Sequence, residues 1–236
     1  MTTLVALALT SLFYMWKDKS KENEMVFNKK GILETIAAHV PSGSDVSTFS
    51  NEQVQSFFQD NIQKYVVNMK GEIQEGLDAD EVDMKKEKKK PLEEQVLPLY
   101  VYNTEEGKKL YVLTVRGNGL WDEIWGCIAL ESDLNTVAGV VFDHTAETPG
   151  LGAEIKDNTK FKEQFKGTSL FNSEGEYVSV KVRKGTSTDG YTHEVDGISA
   201  ATITCDGVTE MMKRGIAYYL PYFETINPDG NSSLPN

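Results

Sequence analysis

Between residues 97 and 116 the chain reads Leu97-Pro-Leu-Tyr-Val-Tyr-Asn-Thr-Glu-Glu-Gly-Lys-Lys-Leu-Tyr-Val-Leu-Thr-Val-Arg116. Aliphatic and aromatic residues fill its two ends, and the polar Thr104-Glu-Glu-Gly-Lys108 separates them. Such a pattern predicts a β-hairpin, with strands over 99–103 and 109–116. A second hairpin follows, with Gly126 to Glu131 and Thr136 to His144 on either side of Ser132-Asp-Leu-Asn135. Beyond it the spacing predicts a short helix over 161–165 and a strand over 177–183. Val208, Met211, Met212, Gly215, Ile216 and Tyr219 recur at helical spacing, which predicts a closing helix stopped by Pro221. The fold class expected is therefore α+β, an antiparallel sheet flanked by helices.

Ahead of the hairpins the pattern is helical. Ile32, Ile36 and Val40 recur every four residues, so 27–40 is expected as an amphipathic helix ended by Pro41-Ser-Gly-Ser44. Val54, Phe57, Phe58, Ile62, Tyr65 and Val66 predict a second helix over 51–68. Residues 72–83 are rich in acids and 85–90 in lysines, the pattern of a solvated loop or exposed helix.

Residues 2–16 carry no charge and end in Tyr14 and Trp16, where an interfacial aromatic belt would lie. As a helix they reach only about 22 Å against a hydrocarbon core of roughly 30 Å. The preferred reading is the end of a membrane helix that begins upstream of Met1. A signal peptide competes, but no Lys or Arg precedes the segment and no small-x-small site closes it. The expected organisation is an anchor over 1–16, a helical and charged connecting region over 17–96, an α+β domain over 97–225 and a flexible tail over 226–236.

The whole chain has 236 residues and a formal charge of −12, which argues against nucleic acid as a partner. With 39 % hydrophobic residues it can bury a core. Cys127 and Cys205 permit one disulfide. They and His39, His144 and His193 match no metal-ligand spacing, so no metal site is expected. Cys127 reads as a buried thiol and His193 as an exposed loop residue.

Three segments stand out from a generic domain. Arg116-Gly-Asn-Gly-Leu-Trp-Asp-Glu-Ile-Trp-Gly126 combines tight backbone with two flat aromatics. His144-Thr-Ala-Glu-Thr-Pro-Gly-Leu-Gly-Ala-Glu154 contains a rigid turn that can expose consecutive N–H groups, with His144 and Glu147 as an acid–base or hydrogen-bonding pair. Asp196-Gly-Ile-Ser-Ala-Ala-Thr-Ile-Thr-Cys-Asp-Gly-Val208 places the hydroxyls of Ser199, Thr202 and Thr204 at or just before a helix start, where a phosphate is favoured. Taken by itself, the last segment reads as an ordinary Ser or Thr N-cap.

Taken together and in this order, the segments resemble the covalent FMN-binding domain of the C-subunit of sodium-translocating NADH:quinone reductases, and more distantly the G-subunit of Rnf electron-transport complexes. The resemblance runs from about Tyr100 to Phe223. It implies FMN joined by a phosphodiester bond to Thr204, the last Thr of the Ser-Gly-Ala-Thr-x-Thr pattern, with Ser199, Ala200, Ala201 and Thr202 around it. Ala200 departs from the Gly usual there. Glu147, Thr148, Leu151, Gly152 and Trp121 are implied near the isoalloxazine. No catalytic triad is implied, because a separate flavin transferase would make the bond. The family also implies partner subunits in a membrane NADH:quinone reductase that pumps sodium. It places a single-pass protein in a bacterial inner membrane with its flavin domain on the periplasmic side. NADH oxidation would lie elsewhere, since no G-x-G-x-x-G follows a strand here. A membrane-anchored domain of the same fold without redox function is the reading from another class.

Overall fold

A computed structural model describes residues 2–41, 46–185 and 192–227. A long helix opens it, α1 (Thr2–Thr35), with a turn of 3₁₀ helix at Ala37–His39 behind it. Next come α2 (Asn51–Asn61) and β1 (Ile62–Asn68), then a short helix α3 (Met84–Glu87). The strands β2 (Val96–Asn103), β3 (Lys109–Asn118), β4 (Glu123–Leu130) and β5 (Val137–His144) follow in succession. Two short helices, α4 (Glu154–Asp157) and α5 (Thr159–Glu163), precede a parallel pair, β6 (Lys181–Arg183) and β7 (Glu194–Asp196). The chain closes with α6 (Thr202–Ala217) and α7 (Leu220–Ile226).

Strands β1 to β5 form one antiparallel sheet in sequence order. Both faces are covered: β2 is buried almost without a break, and period two sends its alternate side chains to opposite cores. From β2 and β3, Leu97, Leu99, Val101, Leu113 and Val115 pack with Val208, Met211, Met212 and Ile216 of α6. From the same strands, Tyr100, Tyr102, Leu110 and Val112 face the other way and pack with Ile32, Leu33, Val54 and Phe58 of α1 and α2. The buried hydroxyl of Tyr219 locks the α6 side by donating to the Pro98 carbonyl (2.8 Å) and accepting from the Thr114 N–H (3.3 Å).

The α+β class with an antiparallel sheet is observed, and several boundaries differ from expectation. The helix predicted over 51–68 stops at Asn61, and 62–68 is an edge strand paired with β2. Phe58, Ile62 and Val66 lie four apart, a spacing that suits a helix stripe and one face of a strand alike. Because β1 belongs to the sheet, part of the stretch read as a connecting region lies inside it. Ser50 and Gln53 close a capping box that fixes the start of α2.

Pro221 does not end the chain's helical structure; it sits in the first turn of α7, where its missing N–H costs nothing. The charged stretch expected as a solvated loop or exposed helix is mostly exposed and holds α3, and it is also pinned to the domain. Asp78 and Asp80 pair with Lys64, Asp80 pairs with Lys29, and the Glu87 carboxylate accepts from the Val96 N–H at 3.1 Å. Residues 2–16 and 27–35 are not two separate helices but one. No helix among the described residues is long and apolar enough to cross a membrane. The turn expected at 42–44 and the tail at 228–236 lie outside the described residues.

Candidate functional site

The site begins where β5 runs out. Pro149 and Gly150 form the centre of a tight turn in which the Leu151 N–H donates to the Thr148 carbonyl at 3.1 Å. Gly150 has φ +74°, the conformation that the third position of a type II turn demands. The turn is preceded by Glu147, whose N–H donates to His144 Nδ1 at 3.2 Å. The expected His144–Glu147 pair thus exists, but through a backbone donor rather than two side chains.

Glu147 is only 4 % exposed and its carboxylate joins three segments. Oε1 accepts from the Trp121 N–H at 3.0 Å, and Oε2 accepts from the Thr204 hydroxyl at 2.5 Å. The Trp121 indole N–H donates to Thr148 Oγ1 at 3.1 Å, which closes the ring of contacts. Gly152 has to be glycine for a different reason from Gly150. A Cβ there would collide with Glu147 Oε2 and Thr204 Oγ1, the two atoms that form the central bond.

Thr204 occupies the third residue of α6. The residue capping this helix is Ala201, and no side chain caps it. The Ser or Thr N-cap that competed in the sequence reading is therefore absent. The first N–H groups of any helix lack partners within the helix, and here they form an uncapped positive end of sixteen residues of dipole. Ala200, just ahead, lies in the left-handed region with φ +59°. Glycine adopts that conformation freely and alanine only under strain. Ser199 and Ala200 are exposed, Ala201 is buried and Thr202 is half-buried.

Large apolar side chains stand exposed on these segments. Trp121 is 67 % exposed, and Leu120, Leu151 and Ile203 are also open to solvent. An exposed indole and aliphatic groups beside a buried hydroxyl and an uncapped helix start suit a ligand with a flat apolar ring and an anionic tail. The buried Glu147 carboxylate adds a negative charge in contact with the hydroxyl, and it has the lone pairs to take a proton.

Hydrogen bonds bring together Trp121, Glu147, Thr148 and Thr204, while Leu151 and Gly152 share the turn and Ser199, Ala200, Ala201 and Thr202 form the lead-in to α6. Ile203 and Leu120 escaped the sequence reading because a single apolar residue in a first helical turn or a loop gives no sign of its exposure. Trp125 lies apart from this group, stacked by the Arg116 guanidinium at 5.1 Å. His193 is half-buried rather than an exposed loop residue, with Nδ1 2.7 Å from the Ser169 carbonyl; its place just ahead of β7 draws it in. Cys127 and Cys205 are both free thiols, so the permitted disulfide does not form. Cys127 is half-buried by surface exposure, yet burial still pushes its thiol up to about 12.

The FMN-binding domain family matches residues 119–217, a span that holds Trp121, Glu147, Thr148 and Thr204. The chain is 31 % identical over 216 residues to the C-subunit of the Na(+)-translocating NADH-quinone reductase of Pseudomonas aeruginosa, covering 83 % of this chain and 80 % of that one. It is 32 % identical over 209 residues to the corresponding protein of Vibrio anguillarum, covering 81 % and 77 %. The crystal structure of the C-subunit from Parabacteroides distasonis superposes with a TM-score of 0.74 at 34 % identity, over 93 % of this chain and 98 % of that one. Shewanella oneidensis NqrC, at 24 % identity and a TM-score of 0.73 over 89 % and 99 %, shares the fold.

Proposed function

The chain belongs to the C-subunit family of Na(+)-translocating NADH-quinone reductases, and from that premise we propose that it is a relay protein holding FMN through a phosphodiester bond to Thr204. One observation carries this reading. The Thr204 hydroxyl sits in the uncapped first turn of α6, bonded to Glu147, with exposed Leu151 on the Glu147 segment and exposed Trp121 held by its N–H to the same carboxylate. The residues fit the group: the helix start favours its phosphate, and the indole and the Leu151 side chain offer apolar surface to its ring.

Bound there, FMN supplies electron transfer, while the chain fixes its position and the polarity around it. Thr204 would anchor the phosphate. The Thr148–Leu151 turn and Trp121 would border the ring. Covalent attachment removes the dissociation equilibrium, so a relay cannot lose its cofactor in any redox state. We further assign the protein to a membrane NADH:quinone reductase that pumps sodium, with residues 2–16 as its anchoring segment and the flavin domain on the periplasmic side of a bacterial inner membrane. The exposed Val5, Phe13 and Trp16 side chains support an apolar surrounding for that segment.

The test uses the full chain co-expressed with a flavin transferase. After denaturation, the wild type should carry flavin fluorescence in the gel and the mass of one FMN phosphodiester, and Thr204→Val should carry neither. A bare polypeptide from the wild type would remove the covalent reading.

A further inference from the structure

Attachment of FMN to a threonine requires a hydroxyl proton to leave, and the structure points to where it goes. We propose that Glu147 is the general base of its own chain's modification, accepting the Thr204 proton as the phosphodiester forms. This rests on the Thr204 reading above and adds to it a catalytic group supplied by the acceptor protein rather than by the transferase.

The geometry is that of a base already in contact with its nucleophile. Thr204 Oγ1 donates to Glu147 Oε2 at 2.5 Å, and both side chains are buried, Thr204 to 1 % exposure. Threonine is a weak nucleophile until a base takes its proton, and an adjacent carboxylate does this for the hydroxyl substrates of kinases. The other nearby candidate is occupied, since His144 Nδ1 accepts the Glu147 N–H. Glu147 is also held from the far side by the Trp121 N–H. The carboxylate is thus fixed beside the hydroxyl from two sides.

The chemistry balances with one co-reactant. The phosphate monoester of free FMN has no good leaving group, so the donor is a flavin nucleotide activated as a phosphoanhydride. Thr204 Oγ1 attacks the flavin-side phosphorus and an O–P bond forms. The anhydride P–O bond breaks, the electron pair leaves with the departing nucleotide, and the hydroxyl proton moves to Glu147 Oε2. Nothing is oxidised or reduced. Protonation also neutralises the carboxylate as a phosphodiester anion arrives beside it, which removes a like-charge repulsion in a buried site.

The experiment measures initial rates of flavin incorporation into the purified full chain by a flavin transferase, read by in-gel fluorescence and intact mass. Glu147→Gln keeps the shape and, with its amide oxygen toward the Trp121 N–H, turns its NH2 to Thr204 Oγ1 as a donor, so it cannot take the proton. It should lower kcat by about 100-fold or more while the KM for the chain stays unchanged, in line with the usual 10²–10⁴-fold worth of a general base. Glu147→Asp should recover part of the rate, and thermal unfolding of both variants checks that they fold. Wild-type rates in Glu147→Gln, or a loss confined to KM, would overturn the role of Glu147 alone. No flavin on the wild type, or transfer that survives Thr204→Val, would overturn the Thr204 attachment and this proposal with it.

Discussion

Lys156 Nζ lies 3.0 Å from Asp143 Oδ1, and the same ammonium sits 5.5 Å from the ring centroid of Phe27. One side chain thereby ties α4, the end of β5 and the long first helix together, one residue before His144. The Asp143 carboxylate is largely buried and has the His144 N–H as a further donor at 2.8 Å. Lys156→Met keeps the apolar stem over Phe27 but strands that carboxylate. The expected cost is about 1–3 kcal/mol in urea unfolding. Asp143→Asn removes the buried charge while its amide oxygen can still accept from the His144 N–H, so it should cost less. Equal losses in the two variants would show that the pair is not what holds the β5 end.

Ala200 predicts a gain rather than a loss. Its left-handed backbone, φ +59°, costs an L-residue with a Cβ roughly 1–2 kcal/mol. Glycine removes that strain but adds about 0.5–1 kcal/mol of unfolded-state entropy. Ala200→Gly should therefore stabilise the chain by roughly 0.5–1 kcal/mol, or about 1–4 °C in Tm for a domain of this size. A lower Tm would mean that the methyl group makes a contact worth more than the strain.

These two sites also mark how far the sequence could be read. The hairpins were legible because alternation and a Gly-bearing polar break are local signals, and the Thr148–Leu151 turn was legible because Pro-Gly dictates its type. Ile62 to Asn68 was not, because its four-residue spacing serves helix and strand equally. The positive φ of Ala200 leaves no trace in an alanine, although the family resemblance marked the position as one where glycine is usual. The bond between Glu147 and Thr204 joins residues 57 apart in the chain. No local pattern encodes such a meeting, so the resemblance brought both residues to the same ligand while their contact with each other had to come from the fold. The uncapped start of α6 was equally hidden, since Ser199, Thr202 and Thr204 each look like an N-cap.

Gly152 separates stability from site assembly. A methyl group there has no φ penalty to meet but collides with Glu147 Oε2 and Thr204 Oγ1. Gly152→Ala should force these two atoms apart and cost about 1–3 kcal/mol as an overpacked site. Flavin incorporation at Thr204 should fall with it, by more than in a surface variant of equal stability loss. Gly150→Ala, with open space around its Cβ, should instead lose stability through its φ of +74° alone. Comparing incorporation in the two variants at matched Tm checks the distinction; equal incorporation would deny the Gly152 contact any special part in the site.

The Lys64 cluster sets a pH dependence with two limbs. Burial alone would raise the Asp78 carboxyl, but the bonds from Lys64 and the Asp80 N–H outweigh it and hold Asp78 below its ordinary value of 3.8. Burial likewise opposes the Lys64 ammonium, and its bonds to Asp78 and Asp80 win, raising it above 10.5. A lowered carboxyl contributes stability that is present above its ordinary value and lost as pH falls through the folded one. A raised ammonium contributes stability that is present below its ordinary value and lost as pH climbs through the folded one. Both groups are partly exposed, so the pair is worth no more than about 1 kcal/mol at neutral pH. The advantage of the wild type over Lys64→Met in unfolding free energy should hold across the neutral range. It should shrink below pH 3.8 and again above pH 10.5. Parallel curves at both ends would mean that the cluster is a geometric contact with no energetic coupling between strand β1 and the 78–80 turn.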